Sequence, residues 1–243
     1  MWAVTDATEL EAIGRALASV AVLIADGHHR FEVAYANRQR YPGLMAYFVS
    51  MTDPALVVRP IHRVVRLKDA AAPEALRQMC RTEPAGDLEG LASWLGNGAS
   101  GEAGRFGFYD GRGLYRAAVA QEPLARWLMR PPVPLPLAQL DVSILHGLIL
   151  PQLGITATHG QTTGEAAQVT YVADAREALA AVDRGQGSAA WLLRGIPLAQ
   201  VYALASQGIA LPPKSTYFYP KVPSGLAMHL LPEHTSKVPE SDR

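Results

Sequence analysis

The chain has a single cysteine, Cys80, among 243 residues. One thiol cannot close an internal disulfide or build a cysteine metal site, and a buried bystander in a short helical pattern, Arg77 to Arg81, is the expected role. Charge of one sign is equally lacking. Lys plus Arg number 22 and Asp plus Glu number 22. A balanced chain has no broad positive field, so non-specific nucleic-acid binding and a membrane-surface role are not expected. There is no basic-then-apolar leader and no apolar run long enough to span a bilayer. The longest stretch, Val142 to Leu153, is broken by Ser143, His146, Gly147 and Pro151. A cytoplasmic protein is the resulting expectation. Charged residues make up 18% and hydrophobic ones 49%, enough for a large core.

What is present reads as an α/β protein: a mixed sheet with flanking helices. Met1–Val4 reads as a strand. Asp6 to Glu9 forms a capping box, and Leu10, Ile13 and Leu17 make a helical stripe. Ala21 to Ala25 is a short apolar strand, and a helix is expected from about His29 to Arg40. Leu44 to Met51 and Leu56 to Leu67 are strand-like, split at Thr52-Asp53-Pro54. Gly96 to Gly104 and His159 to Gly164 read as loops. Arg105 to Asp110 and Leu114 to Ala120 flank a Gly111-Arg112-Gly113 hairpin turn. Pro131 to Pro136 is expected to be an extended connector. The last third alternates: strand 168–173, a helix capped by Asp174, strand 188–193, and a helix opened by Pro197. We expect a core over 1–130, a C-terminal α/β portion over 131–231 packed into the same globule, and a flexible tail from 232.

One segment concentrates chemistry. The apolar residues up to Ala25 run into Asp26-Gly27-His28-His29-Arg30 and then a helix. A helix start presents unsatisfied N–H donors and a partial positive charge, which favours phosphate. Gly27 lets a ligand approach the backbone, and Arg30 can fork two phosphate oxygens. His28 and His29 are candidates to shuttle a proton or donate to phosphate. The plain alternative is a common turn with a capping histidine. A metal site is the lesser alternative, because adjacent histidines rarely reach one ion.

Three further sets of residues carry candidate chemistry. Between Pro212 and Lys221 lie Lys214, Ser215, Thr216, Tyr217, Tyr219 and Lys221, a supply of donors suited to phosphoryl transfer; the alternative is a surface loop with an edge strand. His62 and Arg63 fall within a strand pattern, where alternation sends one inward and the other to solvent. Asp141 and His146 lie on an apolar helix; Asp141 is either a base for a hydroxyl proton or a cap. Gly185-Gln186-Gly187-Ser188 runs from helix to strand, the reverse of a phosphate loop, and is set aside.

Gly27-His28-His29-Arg30-Phe31-Glu32-Val33-Ala34 resembles the signature of the ParB/sulfiredoxin superfamily, whose Gly-x-x-Arg turn binds nucleotide phosphates. Sulfiredoxins carry their catalytic cysteine where this chain has His28, so sulfinic-acid reduction is not implied. ParB proteins bind CTP and DNA, but no basic helix-turn-helix is found here. The superfamily also includes free L-serine kinases. The run from Ile24 to Glu32, then Pro60 to Arg63, Leu140 to His146, Pro213 to Lys221 and Ser224 to Leu226, in that order, resembles the domain of unknown function 1015 family. Its members usually carry a further N-terminal region.

The resemblance implies a ParB/sulfiredoxin-like core and a serine-kinase-like phosphotransferase using pyrophosphate or a nucleotide, with Mg²⁺. Asp26, His28, His29 and Asp141 would be catalytic, with Asp26 also a candidate for holding the cation. Gly27, Arg30, Glu32, His62, Arg63, His146, Lys214, Ser215, Thr216, Tyr217, Tyr219 and Lys221 would bind phosphate or substrate. Rival expectations are a non-catalytic phosphate-binding regulator and, by analogy with ParB, a DNA-acting protein. The partner expected is a small molecule, with a second polypeptide or copy of the chain left open.

Overall fold

The computed structural model describes residues 2–66, 76, 78–96, 102–155, 169–223 and 225–229. The chain divides into two compact units: residues 1–48 with 222–243, and residues 49–221. Among the described residues, no helix is long and apolar enough to cross a membrane.

The first unit contains two helices, α1 (Ala7–Leu17) and α2 (His28–Ala36). Asp6 caps α1 as expected: its Oδ1 accepts from the N–H groups of Thr8 at 2.9 Å and Glu9 at 3.0 Å. Phe31 and Tyr35, one turn apart on α2, stack with centroids 6.1 Å apart. Neither helix has a buried residue. The strands expected at Trp2–Val4 and Ala21–Ala25 do not form, and residues 41–50 have no regular structure either. A strand exists by pairing, and no strand of this unit is available as a partner among the described residues. Met1 lies outside the described residues.

The second unit is built on a six-stranded sheet. Its strands are β2 (His62–Val65), β3 (Cys80–Pro84), β4 (Arg105–Tyr109), β5 (Leu114–Val119), β6 (Val169–Val172) and β7 (Ala189–Leu192), in the order β3-β5-β4-β7-β2-β6. The sheet is flanked by helices and is not closed into a barrel. The expected mixed sheet is, in its described pairs, antiparallel throughout. Here β4 and β5 form the expected hairpin about Gly111, whose φ is 80°.

A separate two-stranded ribbon pairs β1 (Val57–Arg59) with β8 (Tyr217–Tyr219). The single strand expected from Leu56 to Leu67 is thus two strands in two sheets. Pro60, which has no N–H to donate, stands at the break. Cys80 opens β3 rather than ending a helix, and it is buried. Burial pushes its thiol up to about 12, which disfavours the thiolate.

Alternation along the strands sorts the core into two layers. Val64, Ala190 and Leu192 pack with Leu91 and Leu95 of α3 (Leu88–Gly96) and with Ala178 and Val182 of α7 (Ala175–Asp183). Asp174 caps α7, accepting from Glu177 N–H at 2.9 Å. On the other face, Val65, Phe106, Phe108, Ala189 and Trp191 pack with Ile144, Leu145, Ile149 and Leu204. Trp191 is fully buried, edge-on to Phe106 at 5.6 Å and tilted against Phe108 at 5.0 Å. Such pairs add to area burial.

The helices of this second face are α4 (Gln121–Met129), α5 (Leu135–Ala138), α6 and α8 (Leu198–Ser206). Pro136 opens α5, so the expected Pro131–Pro136 connector is helical at its end. Helix α6 comprises Asp141–Ile144, a π-helical turn Leu145–Ile149, and Leu150–Gln152. The wide turn precedes Pro151, which cannot donate to the carbonyl four residues back. Residues 97–101 and 156–168, with the loops expected there, lie outside the described residues, as does the tail from 230.

Gly107 marks the tightest contact between sheet and helix. A Cβ there would lie 2.4 Å from Leu91 Cδ2 and 3.0 Å from Leu192 Cβ. Gly107→Ala is therefore expected to lower unfolding free energy by about 1–3 kcal/mol, read as a shifted urea midpoint at unchanged slope.

Candidate functional site

Gly27 is the N-cap of α2, at φ 84° and ψ 29°, with no side chain capping the helix. A left-handed residue turns the chain so that the helix opens directly from the Asp26-Gly27 corner. Asp26 Oδ1 accepts from Gly27 N–H at 2.9 Å. Arg30 folds back over the corner: its Nη2 is 3.8 Å from Asp26 Oδ2, and its Nε and Nη2 lie 3.0 Å from where a Gly27 Cβ would be. One turn on, His29 Nδ1 and Glu32 Oε2 are 3.3 Å apart. His28 is the first helical residue.

The turn thus joins Asp26, Gly27 and Arg30, and ties His29 to Glu32. These side chains are largely exposed, His29 at 98% and Arg30 at 83%. Such pairs are weak and screened by salt, so Arg30 remains available to an anion. Among the described residues, no three His, Cys, Asp or Glu side chains cluster to hold a metal ion.

The second unit contains the other candidates, in three places. His62 and Arg63 are on β2, which has β7 on one side and β6 on the other. Alternation predicts one of the pair in solvent. Instead both are buried, at 5% and 1% exposure, because the sheet is covered on both faces. His62 Nδ1 accepts from Leu193 N–H at 3.2 Å. Burial, and then the neighbouring Arg63, lower its pKa to about 4, against an opposing pull from Asp174. The ring is neutral at pH 7.

Arg63 donates from Nε to His146 Nε2 at 2.9 Å, and from Nη1 to the Ile61 carbonyl. Its guanidinium lies 5.0 Å from the Tyr171 ring centre, and His146 stacks on the same ring at 6.3 Å. Burial lowers its pKa to about 10. Arg63 Nη2 is buried without a hydrogen-bond partner among the described residues. A π-helical turn of α6 carries His146 to this strand, a turn type frequent at functional sites.

Asp141 opens α6 and is buried. Its Oδ1 accepts from Gly104 N–H at 2.7 Å and its Oδ2 from Arg194 Nε at 2.6 Å. Burial raises its pKa, while Arg194 and the N–H groups of Gly104 and Arg105 draw it back. Both oxygens are engaged in joining α6 to the approaches of β4 and β7. Arg194 was not among the sequence candidates. It lies between β7 and Pro197, and its partner is 53 residues away.

The third place is the β1–β8 ribbon. Phe218 is buried, whereas Tyr217 and Tyr219 share the opposite face. Arg59 lies over the Tyr219 ring at 3.8 Å and Lys221 over Tyr217 at 5.1 Å. This is a cation–aromatic surface, and Arg59 was likewise missed from sequence. Just before it, Lys214 has a left-handed φ of 59°. Ser215 is buried and donates its hydroxyl to the Pro212 carbonyl, while Thr216 is half-buried. Ser224, of the last motif, lies outside the described residues.

A family described as "Protein of unknown function (DUF1015)" matches residues 1–143. The chain belongs to this family. No curated protein matches the sequence. Among solved structures, a free serine kinase in complex with AMP is 15% identical, with 88% of this chain covering 80% of that one at a TM-score of 0.40. A conserved hypothetical protein from Pyrococcus furiosus is 13% identical, with 87% of this chain covering 82% of that one at a TM-score of 0.40. Both likenesses are distant.

Proposed function

We propose that the chain is a phosphotransferase acting on a small hydroxyl compound, with the Asp26-Gly27-His28-His29-Arg30 turn binding the donor phosphates. The observation that carries this is the turn itself. A left-handed glycine opens an uncapped helix, and an arginine folds over it, so backbone donors and a guanidinium converge on one exposed point. L-serine is the acceptor that the motif resemblance implies, with pyrophosphate or a nucleotide as donor.

In the reaction, the acceptor hydroxyl oxygen attacks the terminal phosphorus. The bridging P–O bond breaks towards the departing phosphate or nucleotide, and the hydroxyl proton passes to Asp26 or His28. Arg30 neutralises charge on the transferring oxygens. Glu32 orients His29. Within the second unit, Lys214, Thr216, Lys221, the tyrosines and Arg59 are proposed as a further phosphate-binding surface. Mg²⁺ would enter with the donor phosphates, with Asp26 as the side chain that would help to hold it. Homo-oligomerisation and a second polypeptide have no observation in their favour.

A second reading, phosphate binding without transfer, is favoured by Asp141. This candidate base is engaged through both oxygens. Phosphorus NMR separates the two readings, using the full chain with Mg²⁺, L-serine and, separately, ATP, ADP and pyrophosphate. Phosphoserine is expected with at least one donor, and Arg30→Ala is expected to slow its formation by roughly a thousandfold. Donor-dependent thermal stabilisation without product, lost in Arg30→Ala, would establish binding alone. Neither product nor stabilisation would remove the phosphate reading.

A further inference from the structure

A cleft of about 410 Å³ opens between α4 and α6, within the second unit, and none of the candidate phosphate-binding or catalytic residues lines it. Its size falls in the range of small-molecule sites. Arg126, Trp127 and Arg130 of the α4 region line one wall, Leu148 and Gln152 of α6 the other, and Met79 contributes an apolar surface.

The indole wall is fixed in place. Trp127 Nε1–H donates to the Ala138 carbonyl at 2.9 Å. The ring lies over Gly147 in the π-helical turn, where a Cβ would come within 2.3 Å of the indole. The charges are unbalanced. Arg126 is in the last turn of α4, and Arg130 follows as its C-cap in a non-helical conformation. Glu122 pairs with Arg126 at 2.5 Å. Arg130, at the C-cap of α4, meets no carboxylate among the described residues. A helix C-terminus accommodates a cation, which accounts for its position, and its guanidinium is exposed at the edge of the cleft.

We infer that this cleft binds a flat, ring-bearing anion, its ring between Trp127 and Leu148 and its carboxylate or phosphate on Arg130. An apolar slot with one aromatic wall selects a ring, and a guanidinium at its edge selects the anionic form. The proposal is independent of the phosphate turn and of the reaction assigned to it.

Isothermal titration calorimetry of the full chain with 1-naphthoate, and with 1-naphthamide as its uncharged counterpart, tests it. One saturable naphthoate site per chain is expected, about tenfold tighter than the amide. Arg130→Gln is expected to bring naphthoate down to the amide's affinity with the melting temperature unchanged, and Trp127→Phe to weaken both ligands. Equal naphthoate affinity in the wild type and Arg130→Gln, no preference over the amide, or no saturation would each overturn the assignment.

Discussion

Asp141→Ala is expected to lower the unfolding free energy by about 3 kcal/mol, the largest effect of any single substitution considered. The carboxylate holds Arg194 Nε at 2.6 Å and Gly104 N–H at 2.7 Å. Removing it takes the counter-ion from a guanidinium that is 27% exposed and otherwise donates to the Glu102 carbonyl, and it leaves the Gly104 N–H at the entry to β4 without this acceptor. Urea unfolding measures the loss. Asp141→Asn distinguishes this role from that of a base. It keeps an acceptor for Gly104 but loses the charge, so a structural Asp141 predicts a reduced midpoint in both variants. Wild-type stability of the asparagine variant with turnover abolished would reverse the assignment. Burial raises the Asp141 carboxyl, so its contribution to stability is present at low pH and declines as pH rises through the folded pKa.

His62 has the opposite pH dependence. Its pKa is lowered from 6.5 to about 4, chiefly by burial and secondarily by Arg63. The fold therefore disfavours the imidazolium. Stability is complete above pH 6.5 and falls as the pH drops towards 4, by about 3 kcal/mol over the window. His62→Asn retains an acceptor for the Leu193 N–H that now bonds to Nδ1. It is expected to flatten the acid limb of a stability–pH curve, leaving the Asp141 slope of opposite sign. Superimposable curves for the two proteins would show that His62 does not set the acid limb.

What could be read without the structure was local. Asp6 and Asp174 each bond the N–H groups within their own first turn, and the Gly111 hairpin closes within a few residues. Such signals are complete within a short window. The apolar segments at Ala21 and Leu44 carry the same strand-like composition as β7, yet form no strand, because pairing depends on distant residues. Alternation puts one of His62 and Arg63 in solvent only where one face of the sheet is wet, and whether a sheet is covered on one side or two is decided by helices far along the chain. Arg194 and Arg59 gave no local signal, since one answers a carboxylate 53 residues away and the other a tyrosine on β8. Motif order, in contrast, pointed to the family directly, because it samples most of the chain at once.

The place of β2 in the sheet bears on how the protein is made. His62–Val65 leaves the ribosome before its neighbours in the sheet, β6 and β7. Until the chain has been synthesised past Val172, both edges of this wholly buried strand lack partners and Arg63 lacks the ring of Tyr171 beneath it, and one edge stays open until Trp191 is added. The hairpin of β4 and β5 can close on its own in the meantime. Pairing at long sequence separation is slow and exposes unpaired edges. Nascent chains halted before β7 should therefore be held by chaperones and cut readily near β2, and that protection should arrive in one step when the last central strand is added.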